Sequence, residues 1–165
     1  MKEKKSKIGT KHFGPKVDIT DPGYDKDTWC RINDVEIREG DYDCLVWERI
    51  EKFSLCEKEI TSRTVSRIGI YLEGKIPSEE ELLYLGEIGV DAGLAGFFSD
   101  KPDYAEAEWH QFCASIFPEG KKWGSAWIKD EGFFSCSGEG DGSYPVVYAT
   151  DGLGHITALE IRFLS

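Results

Sequence analysis

The fold is decided by residues 144–164, which read YPVVYATDGLGHITALEIRFL. Two runs rich in β-branched and aromatic side chains flank the turn at 151–154, a combination typical of a hairpin between neighbouring strands. In the second run, alternate positions place four side chains on one face of a strand: Thr157, Leu159, Ile161 and Phe163. This stretch therefore predicts an antiparallel sheet with one buried face.

The same alternation of apolar and polar positions predicts further strands outside this hairpin. They lie at 16–20, 42–53, 64–73, 88–98, 124–128 and 132–136. Two segments have helical signals instead: a main helix at about 104–117, opened by a capping box from Asp103 to Glu106, and a short helix at about 79–84, opened by one from Ser78 to Glu81. The sequence predicts a β-rich α+β fold, mostly antiparallel and sandwich-like.

The main helix has one apolar stripe at i, i+3, i+4 and i+7, which predicts the face that packs on the sheet. The stripe consists of Trp109, Phe112, Cys113 and Ile116. A chain of 165 residues is the size of one domain, which we place at 13–165. Residues 1–12 contain no apolar periodicity, so we expect them to form a flexible basic leader.

Charge is unevenly distributed along the chain. Residues 1–16 carry six lysines and one glutamate, a net charge of +5, so the remaining 149 residues carry −16 of the total −11. Such an acidic body repels phosphate backbones, and we expect no nucleic acid to bind the main domain. It favours basic partners or cations instead.

Several other classes of protein are disfavoured. No stretch approaches 18 uninterrupted apolar residues, so we expect no membrane partner, and the N-terminal segment lacks the apolar region of a signal peptide. The five cysteines contain no C-x-x-C pair, and the three histidines are scattered. We expect reduced thiols in a cytoplasmic protein with no metal and no cofactor.

The most unusual local feature is the glycine-rich loop at 137–143, which reads SGEGDGS. Alternate glycines at Gly138, Gly140 and Gly142 allow backbone conformations that turn successive N–H groups toward one point, as in an anion-binding nest. Asp141 and Glu139 could equally offer oxygens to a hard cation. A plain strand connection that needs glycines for a bulge or tight turn remains the third interpretation.

Aspartates next to glycine, proline or other small residues are the candidate carboxylates. Asp21 begins the turn Asp21-Pro22-Gly23-Tyr24, and Asp91 stands between small residues on the predicted strand 88–98. Asp141 belongs to the glycine-rich loop, and Asp151 to the hairpin turn. Such residues often bond their own backbone in turns, but carboxylates brought together in a cleft can act as an acid–base pair. We predict that Asp91 and Asp141 line one concavity, with Tyr144 at its rim.

Four aromatic residues admit either a sugar-stacking or interface role, or ordinary core packing: Tyr24, Tyr144, Trp123 and Trp127. The helical His110 lies off the apolar stripe and is expected to be solvated, and the cysteines offer no evident nucleophile.

The segments 137–148 and 89–93 resemble two signatures of an uncharacterised bacterial family, the domain of unknown function DUF4241. The turn at 21–24 is similar to a third element, in which some short relatives have a cysteine where this chain has Gly23. A thiol role at that position is therefore not carried over. The resemblance supports the fold unit and implies no activity.

Two functions remain as hypotheses. The first is a cytoplasmic binding or accessory module, comparable to an immunity protein, that engages a basic protein partner or a small ligand. The second is a small hydrolase or metal-assisted enzyme that uses clustered aspartates. The candidate ligand-binding residues are Asp21, Tyr24, Asp91, Gly138, Gly140, Asp141, Gly142 and Tyr144.

Overall fold

The computed structural model of the protein describes residues 2–116 and 126–164. Within these ranges the chain forms eleven strands, one α-helix and one turn of 3-10 helix. The strands are β1 (Lys2–Phe13), β2 (Lys16–Thr20), β3 (Ile32–Glu36), β4 (Gly40–Leu55), β5 (Lys58–Leu72), β6 (Leu83–Val90), β7 (Leu94–Phe98), β8 (Ala126–Lys129), β9 (Gly132–Cys136), β10 (Gly142–Thr150) and β11 (Ile156–Arg162). The helix α1 spans Glu106–Ile116, and the 3-10 turn spans Glu79–Glu81.

The strands form two antiparallel sheets. The first sheet has the order β1-β4-β5-β11-β10-β6, and the second has the order β3-β2-β7-β9-β8. The predicted hairpin is present, because β10 pairs with β11 from Val146 opposite Ile161 to Thr150 opposite Ile156. The β-rich, sandwich-like α+β fold is confirmed.

The main core contains side chains from both sheets. Ile68, Ile70 and Leu159 of the first sheet belong to one buried cluster with Phe97 and Phe133 of the second, and all five are fully buried. Removing a large apolar side chain from water contributes roughly 1.5–3 kcal/mol to the free energy of folding. The core between the two sheets therefore supplies the main driving force for folding. Alternation along each strand is what makes such a face possible.

Helix α1 packs against the second sheet on a smaller cluster. Phe112 and Ile116 of its stripe are buried together with Phe134 and Trp127, and the rings of Phe112 and Phe134 lie 5.3 Å apart. Trp127 is thus a core residue, whereas Trp123 lies outside the described residues. The predicted stripe is confirmed.

The start of the helix differs from the prediction. The helix begins at Glu106, not at about 104, because the Glu108 carboxylate accepts the N–H of Ala105 at 3.1 Å and caps the first turn there. The short helix predicted at 79–84 is only one 3-10 turn, since the chain becomes extended again at Leu83. Its capping contact is present: Glu81 accepts the N–H of Ser78 at 3.0 Å.

The single strand predicted at 88–98 is wrong, because the chain forms two strands there. β6 ends at Val90 in the first sheet, β7 begins at Leu94 in the second, and residues 91–93 carry the chain from one sheet to the other. Gly93, with φ of 69°, supplies the left-handed conformation that this change of direction uses. Asp91 therefore stands in a crossing loop and not on a strand face.

The flexible leader predicted for residues 1–12 is also replaced by regular structure. Residues 2–13 form β1, which pairs with β4 from Lys2 opposite Ile50 to Phe13 opposite Gly40. Its side chains are mostly exposed, which explains the lack of apolar periodicity, and its backbone pairs with β4 along its length. Lysines along β1 are typical of an edge strand that avoids pairing with other chains.

Candidate functional site

An open concavity of about 490 Å³ lies where the crossing loop 91–93 meets the glycine-rich loop. Its wall is completed by a stretch of β5. The lining residues are Arg63, Thr64, Val65, Asp91, Ala92, Gly93, Cys136, Ser137, Gly138, Glu139, Gly140 and Asp141. We call this space the acidic concavity.

Two hydroxyl groups hold the glycine-rich loop in place. The Ser137 hydroxyl and the Tyr144 phenol each donate a hydrogen bond to the Gly140 carbonyl, both at 2.6 Å. Gly138 adopts φ of 68°, and a Cβ there would lie 2.6 Å from the Val65 carbonyl oxygen. The loop thus needs glycine at Gly138 for both its conformation and its close packing.

The crossing loop is held at both ends. At one end, a carboxylate oxygen of Asp21 accepts the N–H groups of Asp91 at 2.8 Å and Ala92 at 2.6 Å. At the other end, the Gly93 carbonyl accepts the N–H of Ser137 at 3.0 Å. This last bond joins the crossing loop to the glycine-rich loop, so the two sides of the concavity form one hydrogen-bonded unit.

The charge of the concavity is mainly negative. Asp91, Glu139 and Asp141 are exposed, and Arg63 is the cation among the lining residues. Within residues 2–116 and 126–164, none of these three carboxylates accepts a hydrogen bond or forms an ion pair. Asp151, by comparison, accepts the N–H groups of Leu153 and His155 in its turn.

Four of the predicted site residues meet as expected. Asp91, Gly138, Gly140 and Asp141 all line the acidic concavity, which confirms that Asp91 and Asp141 share one hollow. That this hollow binds a ligand stays a prediction.

The other four predicted residues lie elsewhere. Tyr144 is buried against Phe163 and lines a neighbouring hollow, so its predicted place at the rim is wrong. Gly142 begins β10 and pairs with Val90. Asp21 is 0% exposed, so it is not a residue that touches a ligand directly.

Tyr24 is half-buried and is not among the residues that line the acidic concavity. Burial, followed by a hydrogen bond with the Cys30 side chain, raises the pKa of Tyr24 well above its ordinary value.

Sequence reasoning missed Arg63, Thr64 and Ser137 as parts of the site. Arg63 and Thr64 belong to the regular alternation of β5, and nothing in the local sequence distinguishes them from other strand residues. Ser137 had a usable signal, because a serine beside a glycine-rich loop commonly bonds the loop backbone.

The described residues contain no group of three or more His, Cys, Asp or Glu side chains arranged to hold a metal ion. Among these residues, no helix has the length and apolar character needed to cross a membrane. Comparisons of the chain with protein-family models, with curated proteins and with solved structures find no match.

Proposed function

We propose that this protein is a binding or accessory module, comparable to an immunity protein, that receives a basic group of a protein partner or small ligand in the acidic concavity. The observation that carries the proposal is the set of three exposed carboxylates around one hollow, Asp91, Glu139 and Asp141, without partners among the described residues. A guanidinium or ammonium group supplies the hydrogen-bond donors and positive charge that such carboxylates lack.

Long-range charge supports the same partner chemistry. The chain beyond residue 16 carries −16, so a basic surface is attracted before contact is made. The lysines of residues 1–16 lie mostly along β1, and the row Lys2–Ile50–Arg63 places the N-terminal end of β1 two strands from the β5 wall of the acidic concavity.

The enzyme alternative has less support. A hydrolase or metal-assisted enzyme would turn Asp91 and Asp141, with Asp21 as an optional third carboxylate, toward a substrate or ion. Asp21 is buried, and its two oxygens already accept three backbone N–H groups. Because these hydrogen bonds occupy the Asp21 carboxylate, Asp91 and Asp141 would have to act without it.

We place the protein in the cytoplasm as part of the same proposal. Cys30, Cys44, Cys56 and Cys113 are free thiols, which are usual in a reducing compartment. The oligomeric state is left open by the proposal, since one chain supplies every wall of the concavity.

The proposal is tested by recording amide spectra of the ¹⁵N-labelled protein during titration with an acetylated tetra-arginine amide. The matched control peptide is tetra-citrulline, which has nearly the same shape without charge. We expect shifts at 91–93 and 137–141 with the arginine peptide alone, and weaker binding at higher salt because exposed charges are screened.

Variants sharpen this experiment. Glu139→Gln removes one charge from the concavity and should weaken the arginine response, whereas Glu36→Gln, on the edge strand β3, should leave it unchanged. Equal responses to both peptides, or arginine shifts confined to other surfaces, would contradict the proposed function.

A further inference from the structure

The buried carboxylate of Asp21 lies directly behind the acidic concavity. Asp21 follows β2, and one of its oxygens accepts the N–H of Gly23 at 2.7 Å within its own turn. The other oxygen accepts the N–H groups of Asp91 and Ala92. Burying a carboxylate is costly unless its oxygens are bonded, so these three N–H groups are what permit Asp21 to occupy this place.

The crossing loop depends on this contact for its position. Residues 91–93 lie between β6 and β7 and take no part in the pairing of either sheet. The N–H groups of Asp91 and Ala92 therefore have Asp21 as their acceptor instead of a neighbouring strand. The Asp91 side chain branches from the Cα atom next to this anchored N–H group, so fixing the backbone also restricts where the side chain can lie.

We propose that Asp21 is a positioning residue of the acidic concavity: its buried carboxylate anchors the crossing loop and so holds the Asp91 carboxylate at the cavity wall. This inference rests on the proposed function of that concavity. It assigns Asp21 a role without ligand contact, in place of the direct contact predicted from the sequence. Precise support behind a binding group is a general requirement of preorganised sites.

Four titratable residues interact electrostatically with Asp21. Tyr24 follows in the same segment, Asp91 stands across the contact, Cys113 approaches from α1, and Lys101 contributes positive charge from the segment after β7. Burial raises the pKa of Asp21, although the three N–H groups oppose this effect. The amide protons bonded to Asp21 should therefore report its titration directly.

The first test needs no variant. In a pH titration of the wild-type protein, the amide signals of Gly23, Asp91 and Ala92 should move together, with a midpoint above the ordinary aspartate value of 3.8. Independent movement, or no movement, of the Asp91 and Ala92 signals would overturn the proposed anchor.

The second test is a double-mutant cycle of Asp21→Asn and Asp91→Asn with the tetra-arginine peptide. Asn at position 21 keeps the shape but points an NH₂ group at a backbone N–H. Each single variant should weaken binding about two- to fivefold, the range for one exposed ion pair, and the double variant should show no further loss. Asp151→Asn, which alters a turn outside the concavity, is the control.

The outcomes separate the two proposals. Additive losses in the double variant, or an Asp21→Asn variant with unchanged affinity, would overturn the positioning role. If the wild-type protein does not bind the peptide while the three amides still titrate together, the anchor is supported and the proposed function fails. If Asp21→Asn does not fold, the wild-type amide titration decides the matter alone.

Discussion

The Tyr144 phenol donates a hydrogen bond to the Gly140 carbonyl at 2.6 Å, from a ring that packs edge-on against Phe163. Tyr144, a buried residue of β10, thus stabilises the glycine-rich loop that precedes its own strand. The consequence is that the glycine-rich loop is a supported wall of the acidic concavity, and its carboxylates project from a defined backbone. Loop and core should therefore respond together to substitution.

Alanine substitutions in this part of the chain should rank by backbone conformation and space. Gly138→Ala should cost the most, because it combines positive φ with a Cβ only 2.6 Å from the Val65 carbonyl oxygen. Gly140→Ala meets open space but has φ of 95°, so roughly 1–2 kcal/mol is expected. Gly152→Ala has neither problem and should be nearly neutral.

Urea unfolding of the three variants provides the measurement. A Gly138→Ala variant as stable as Gly152→Ala would contradict the described packing of the loop on β5.

Deleting residues 1–12 should destabilise the protein by more than about 2 kcal/mol. The deletion removes the β1–β4 ladder, in which each backbone hydrogen bond contributes about 0.5–1.5 kcal/mol, together with the Lys11 contact to the Asp130 carbonyl at 2.8 Å. It also turns β4 into an unprotected edge, so the truncated protein should associate more readily.

The control for this deletion keeps the backbone and removes charge. Lys4→Gln combined with Lys5→Gln should change the free energy of unfolding by less than about 0.5 kcal/mol. The free leader predicted from the sequence would instead leave the truncated protein as stable as the full chain.

Two aspartates should give opposite dependences of stability on pH. The pKa of Asp21 is raised by burial, so its contribution to stability is complete below the ordinary value of 3.8 and is lost as pH rises through the higher pKa of the folded state. The pKa of Asp151 is lowered, first by the N–H of His155, so its contribution is present above 3.8 and is lost as pH falls through the lower pKa.

Unfolding free energies of the wild-type protein, Asp21→Asn and Asp151→Asn, measured from neutral pH to pH 3, test these signs. On acidification the wild-type protein should gain stability relative to Asp21→Asn and lose stability relative to Asp151→Asn. The same direction for both comparisons would contradict the described environments.

The sequence predicts the fold well where alternation is clean. The hairpin at 144–164 and the strand at 64–73 alternate because one face of each lies in the two-sheet core, while Tyr71, Ala149 and Ala158 on the opposite face are buried in a smaller cluster. Strand β1 was not predicted, because an edge strand whose two faces are mostly exposed does not need alternating apolar residues. The boundary at 91–93 escaped it because an apolar position at Ala92 continued the alternation across a loop.

The site was only partly predictable for a related reason. Asp91 and Asp141 stood out because small residues surround them, and the structure brings them together. The burial of Asp21 depends on the crossing loop and on α1, which reach it from more than 65 residues away along the chain. The local sequence does not indicate such long-range contacts. A buried anchoring aspartate therefore cannot be distinguished from an exposed ligand-binding aspartate by its sequence neighbours.

The most direct test of the central claim is one variant, Asp141→Asn, measured for both tetra-arginine affinity and melting temperature. An exposed carboxylate contributes little to the fold, so the melting temperature should stay within about two degrees while affinity falls about two- to fivefold. If Asp141 is only a turn residue, the variant will melt at lower temperature and bind the peptide as tightly as the wild-type protein. That second result would contradict the assignment of the acidic concavity as a binding site.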